Sequence, residues 1–381
     1  MRAAISLGLL ASLTAAGAAD VIKLSARKPT APLKRRSLQP TNVPLDDFFL
    51  NTDLQWYGNI TVGTPPQELT VVFDTGSFTL EVASVQCGSA CSNQKLKYDP
   101  SKSSTYVDGG QQTTLAFGTG VGVDPVVNND YVLTVETGTD TVSVGGYTVE
   151  NVDLYTIVDQ TPKFNLDPFS GIQGLSPEAQ GLFQGLVNQG LPSLFGMYLT
   201  AQSVGGAELT LGGIDTSKYS GSLTYTDLAS SGGNWEASAS SIAVNGQTSS
   251  NLNSNQVFIF DSGTSNIVLD PSLADDANAL ISPDIQPFSA EPGAYGIPCS
   301  KISSLPAVID FTFTSQSGNA FNLTIPSSEL NVGPFDSDNS TCQTLINSLS
   351  GTNIIGGSLL KHYYSVWDVG QQRLGFAANG H

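Results

Sequence analysis

The chain has 381 residues, 40% hydrophobic and 13% charged, with 39 glycines and a formal net charge of −18. That composition suits a folded, loop-rich β protein and excludes a disordered one. Seven of the 15 basic residues precede Ser37; beyond it 8 Lys and Arg stand against 32 Asp and Glu. Such a surface excludes nucleic acid and anionic lipid as partners and suits a protein that works in acid, where many carboxylates are protonated.

Met1-Arg2 leads into an apolar run, Ala3 to Leu13, and then small residues through Ala19. This is the pattern of a signal peptide over residues 1–19, so the protein is expected to be secreted and extracellular. Residues 20–36 are basic and polar and end in Lys34-Arg35-Arg36, the reading of a short propeptide cut after Arg36. No later run is long enough to span a bilayer, and "LGFAANGH" carries no hydrophobic tail, so no membrane anchor is expected. Four cysteines follow the leader: Cys87, Cys91, Cys299 and Cys342. In an oxidising compartment they suggest two bridges, and proximity favours Cys87–Cys91 and Cys299–Cys342. Neither His362 nor His381 stands at a ligand-like spacing from them, so no metal is expected. Asn59, Asn322 and Asn339 head Asn-X-Thr triplets and are N-glycosylation acceptors if exposed.

Most of the chain reads as short strands broken by Gly, Asn, Asp and Ser: "GNITVG", "LTVVFD", "DTVSVGG", "LTLGG", "SIAVNG", "VFIFD". Helical pattern is scarce. "SPEAQGLFQGLVNQG" predicts a helix starting at Ser176-Pro177, and "PSLADDANALI" and "CQTLINSLS" predict short ones. The fold class is mainly β.

One stretch is written twice. "VVFDTGSFTLEVA" around Asp74 and "FIFDSGTSNIVLD" around Asp261 share apolar-apolar-Phe-Asp-[Ser/Thr]-Gly-[Ser/Thr] and a second apolar run. Each is followed by an apolar-Gly echo, "SGIQGLS" near Gly174 and "NIIGGSL" near Gly356. A single Asp-Gly turn is ordinary; two copies imply two similar lobes that bring the turns face to face. Two carboxylates at one site cannot both ionise cheaply, so the pair shares a proton, one member taking a proton from water while the other polarises a carbonyl. Gly76 and Gly263 leave room for a substrate backbone. The hydroxyls of Thr75, Ser77, Ser262 and Thr264 can bond across the turns or to the carboxylates. A Ser-His-Asp triad would need His362 or His381 and is not supported. A two-carboxylate glycosidase does not explain the duplication.

These motifs resemble the pepsin-like aspartic proteases of the secreted fungal kind, from "WYGNITVGTPPQELTVVFDTGS" to "YYSVWDVGQQRLGFA". The resemblance implies a bilobal β fold around a deep cleft, with an N-terminal lobe over residues 37–215 and a C-terminal lobe over 216–381, linked through "LTLGGIDTSKYSGSLTYT". It implies an acid endopeptidase, Asp74 and Asp261 activating a water, no cofactor, and an extended peptide or unfolded protein as substrate; a monomer is expected. The competing readings are a non-catalytic binding or inhibitor protein on this fold, and a glycan-binding β protein. Several positions depart from the family pattern. "FGTG" puts Phe117, ahead of Gly118, Thr119 and Gly120, where the flap usually has Tyr. Phe78 follows Ser77, Glu81 replaces a usual Trp, and Gln173 replaces an apolar residue. The flap segment is long, Gly357 stands at a usually acidic place, and the propeptide is short. A Glu81 lying under the flap near the two aspartates would raise their apparent pKa values.

Overall fold

The computed structural model describes residues 37–380 apart from 121, 129, 180, 231 and 232. The expected signal peptide and propeptide, and His381, lie outside the described residues. The fold is mainly β, as the composition and strand spacing predict.

Each half carries one large sheet. In the N-terminal sheet the strand Gln67–Asp74 pairs in parallel with Gly171–Gly174, which pairs antiparallel with Leu80–Ala83, which in turn pairs in parallel with Tyr147–Gln160. In the C-terminal sheet Gln256–Phe260 pairs in parallel with Ile354–Ile355, which pairs antiparallel with Ile267–Leu269, which pairs in parallel with Ile346–Ser348. The order and sense of these four strands are the same in both halves. The duplicated sequence is therefore a duplicated topology: in each, the apolar-Gly strand is threaded between the Asp strand and the apolar run that follows it. Strands so enclosed are buried on both faces, as Leu80–Ala83 and Ile267–Leu269 are throughout. Val132–Val144, nearer the sheet edge, alternates buried and half-buried residues with period 2.

A six-stranded sheet underlies both halves, with Leu194–Tyr198 pairing antiparallel to Tyr363–Asp368 at its centre. Phe195, Trp235 and Trp367 are buried together here, Phe195 stacked on Trp367 at 5.9 Å and Trp235 edge-on to both. The Trp235 indole N–H donates to the Leu175 carbonyl at 2.9 Å, tying the C-terminal half to the residue just past Gly174.

Two helix expectations need correction. The helix predicted from Ser176 begins only at Leu182, because Ser176–Ala179 closes its own turn and Gly181 enters with φ +84°, outside the helical region. "CQTLINSLS" is strand, ending Asp338–Thr344 and forming Ile346–Ser348. Cys342 is held in a ladder with Ile297 and Ile346 lies beside Ile267, so buried pairing overrides the weak local helical pattern. Pro271–Ile281 is helical as predicted, its Asp270 side chain accepting the Ser272 N–H at 3.2 Å. Both disulfides have the favoured pairing, Cys87–Cys91 and Cys299–Cys342.

Candidate active site

Asp74 ends its strand and Asp261 directly follows Gln256–Phe260, and both are nearly buried, each 7% exposed. The strand partners fix where they stop: Asp74 is paired with Gly174, and the Asp261 N–H donates to the Ile355 carbonyl at 3.0 Å. How closely the turns face one another is read from the glycines. A Cβ on Gly76 would lie 2.5 Å from the Asp261 carboxylate carbon, and one on Gly263 would lie 2.3 Å from Asp74 Oδ1. Both are well inside contact distance, so each glycine is required by the carboxylate opposite.

The hydroxyls of the two turns lock the halves together. Thr75 Oγ1 donates to the Phe260 carbonyl at 3.1 Å and accepts the Ser262 N–H at 2.9 Å; Ser262 Oγ donates to the Phe73 carbonyl at 2.7 Å and accepts the Thr75 N–H at 3.1 Å. This reciprocal set is buried and leaves none of its backbone groups unpaired, as low-dielectric surroundings demand. Within each turn the carboxylate accepts the glycine N–H, Gly76 to Asp74 Oδ1 and Gly263 to Asp261 Oδ1, both at 2.8 Å. Thr264 Oγ1 donates to Asp261 Oδ2 at 2.6 Å. Its counterpart Ser77 lies beside Asp74 and eases its ionisation, without closing a well-formed hydrogen bond. Burial, and then the Asp261 charge, push Asp74 well above the usual carboxylate range. Two carboxylates this close in a buried setting favour a protonated Asp74 beside its partner.

A cavity of about 470 Å³ opens over the pair, lined by Asp74, Asp261, Phe78, Phe117, Tyr131 and Ile354 among others. The flap covers it. Its strands Val107–Ala116 and Val132–Val144 pair antiparallel up to Ala116 and Val132, and Phe117, Gly118, Thr119 and Gly120 all line the cavity. Thr119 Oγ1 reaches Thr264 Oγ1 at 2.7 Å, so the flap tip is joined to the hydroxyl that bonds Asp261. The Phe117 ring packs edge-on to Phe164 at 5.8 Å. Tyr131, not Phe117, brings a phenol beneath the flap: its buried ring occupies the space where a Gly120 Cβ would fall, 2.2 Å away.

Glu81 is not part of this site. Its strand is enclosed between two others, the residue is fully buried, and the charges acting on Asp74 do not include it. The expectation that it would raise the pKa values of the pair is therefore withdrawn. Gln173 is buried and donates to the Gly174 carbonyl at 2.9 Å. Gly357 has no room for an acidic side chain, since a Cβ there would meet the Trp56 ring at 2.6 Å. His362 bonds Glu329 at 3.1 Å. Asn59, Asn322 and Asn339 are exposed. Sequence reasoning missed Gln55, whose amide donates to the Gly263 carbonyl; a lone polar residue in "TDLQWYGNI" gives no signal that it lies under the second turn.

Residues 55–379 match the family model described as eukaryotic aspartyl protease. The chain is 34% identical over 376 residues to pepsin A of Rhinolophus ferrumequinum, covering 94% of this chain and 89% of that one. It is 35% identical over 341 residues to pepsin-2B of Gadus morhua, covering 85% and 96%, and 32% identical over 337 residues to rhizopuspepsin-1 of Rhizopus niveus, covering 86% and 79%. Duplicated Asp-Gly turns, doubled strand topology and these similarities lead to one conclusion: the chain belongs to the eukaryotic aspartyl protease family and is an aspartic-type endopeptidase.

Proposed function

We propose that this protein is a secreted acid endopeptidase in which Asp74 and Asp261 form the catalytic dyad. The observation that carries the reading is the pair of nearly buried carboxylates, each crowding the glycine of the other's turn. One carboxylate takes a proton from a water as its oxygen attacks the scissile carbonyl carbon. The other gives its proton to the carbonyl oxygen, forming a neutral tetrahedral diol. On collapse the protonated carboxylate gives its proton to the amide nitrogen, the C–N bond breaks, and the other carboxylate takes a proton from a diol hydroxyl as the carbonyl reforms, so the pair is again singly protonated. Thr75 and Ser262 hold the two turns in register, Thr264 orients Asp261, and the flap from Phe117 to Gly120 excludes water. The substrate is an extended peptide or unfolded protein.

Maturation after Arg36 would remove the basic leader and leave an acidic chain suited to acid medium. Lobes over residues 37–215 and 216–381, a monomeric state, and glycans at the exposed Asn59, Asn322 and Asn339 complete the proposal. The fungal resemblance is supported by the similarity to rhizopuspepsin-1. The test is Asp74→Asn and Asp261→Asn, assayed on denatured protein in acid. Either should lower kcat by about a thousandfold or more, since neither carboxylate alone can both accept and donate the proton. Near-normal activity in a folded variant would remove that residue from the dyad.

A further inference from the structure

The flap ladder closes at Ala116 and Val132, yet the chain between them is far longer than a hairpin turn needs. Residues 122–128 of this connection form a strap that meets the C-terminal half. The Val123 carbonyl accepts three side-chain amides from that half: Asn266 Nδ2 at 3.1 Å, Gln343 Nε2 at 2.6 Å and Asn347 Nδ2 at 2.7 Å. All three amides are buried, and Gln343 also donates to Asn347 Oδ1 at 3.0 Å, which fixes their mutual orientation. Pro125 packs against Gly293, and Asp124 is held from the other side by Lys163 at 3.0 Å. Three buried donors converging on one point are costly unless an acceptor fills it.

The cluster borders a second cavity of about 300 Å³ that Asn266 and Asn347 line. Gly118, Thr119, Gly120 and Leu349 line both this cavity and the one over the two aspartates. The two spaces meet beneath the flap tip, so a peptide held at the aspartates and continuing in this direction runs toward the amides. We propose that Asn266, Gln343 and Asn347 form a receptor for a backbone carbonyl of the substrate, and that the Val123 carbonyl occupies it in the absence of substrate. The strap thereby competes with long peptides for this end of the cleft. The inference rests on the reading of Asp74 and Asp261 as the dyad.

The test uses one scissile sequence lengthened stepwise at either end, and four proteins: wild type, a chain with residues 122–128 replaced by Gly-Ser-Gly, Asn266→Ala/Asn347→Ala, and the combination. With the strap shortened, kcat/KM for peptides lengthened at one end should rise about tenfold, chiefly through KM, while the shortest peptide changes less than about twofold. Adding Asn266→Ala/Asn347→Ala should abolish that gain. If the shortened chain does not fold, Asp124→Gly/Pro125→Gly frees the strap at full length from Lys163 and Gly293, and should give the same length-selective gain, again lost with Asn266→Ala/Asn347→Ala. A gain equal at all lengths, or one that survives loss of the amides, would overturn the receptor. A wild type that cleaves none of the peptides overturns the dyad reading and this one with it; an active enzyme whose variants share its length profile overturns this one alone.

Discussion

Glu81→Gln should flatten the pH dependence of stability. Glu81 lies in a strand enclosed on both sides, is fully buried, and closes no full hydrogen bond, although the Thr79 hydroxyl slightly eases its ionisation. Burial pushes its carboxyl from the ordinary 4.5 to about 8. The folded-state value is raised, so the unfolded chain loses this proton first as pH rises. The stability Glu81 permits is complete below pH 4.5 and declines until the folded group itself ionises near pH 8. One proton of difference is worth about 1.4 kcal/mol per pH unit, so the loss across this window approaches about 5 kcal/mol, a large part of a domain's total. Gln cannot ionise. Its buried amide imposes a cost of about 1–3 kcal/mol that does not vary with pH and drops out of the comparison. The assay is denaturant unfolding at pH 4, 5, 6 and 7, both proteins carrying Asp261→Asn to suppress self-digestion. The stability of Glu81→Gln relative to its parent should climb by about 1.4 kcal/mol per unit above pH 5. A difference constant to within about 0.5 kcal/mol over that range would refute a neutral, buried Glu81.

Ser262→Ala removes two hydrogen bonds of the reciprocal lock, leaving the Thr75 N–H and the Phe73 carbonyl buried without their partner. It should cost about 2–4 kcal/mol in denaturant unfolding and lower kcat more than it raises KM, because the two turns lose their register. Lys361, buried and bonded at 2.7 Å to both Asp53 and Glu329, is the cation these two acidic groups share. Lys361→Met should cost about 3–5 kcal/mol at pH 6, read as a lowered melting temperature, and less at pH 3, where protonation relieves the carboxylates.

Much of this was legible because it is repeated. Asp74 and Asp261, with their Gly-Ser/Thr turns and apolar-Gly echoes, mark the paired site, and the enclosed strand Ile267–Leu269 shows as an uninterrupted apolar run. The cysteine pairing followed from proximity. What escaped the sequence depends on neighbours far along the chain. Asn266, Gln343 and Asn347 read as ordinary polar residues of turns and edges, and only the fold brings them to Val123, up to 224 residues away. Glu81 invited the opposite error: it stands where the family usually has Trp, which suggested a place under the flap, whereas its strand is enclosed on both sides and buries every residue. "CQTLINSLS" was misread because local helical spacing carries no information about the ladder with Ile297 or the strand beside Ile267.

The sheet beneath the two halves bears on biosynthesis. Its central pairing sets Met197 against Ser365, 168 residues apart, so Leu194–Tyr198 has an unfilled edge throughout synthesis of the C-terminal half. An N-terminal half emerging from the ribosome can form its own eight-stranded sheet, but it cannot bury Phe195 against Trp367 until that tryptophan is made. Closing so long a loop is slow, and an exposed apolar strand invites mispairing in the interval. Completion of this protein is thus a late event, with a waiting edge that a chaperone would do well to cover.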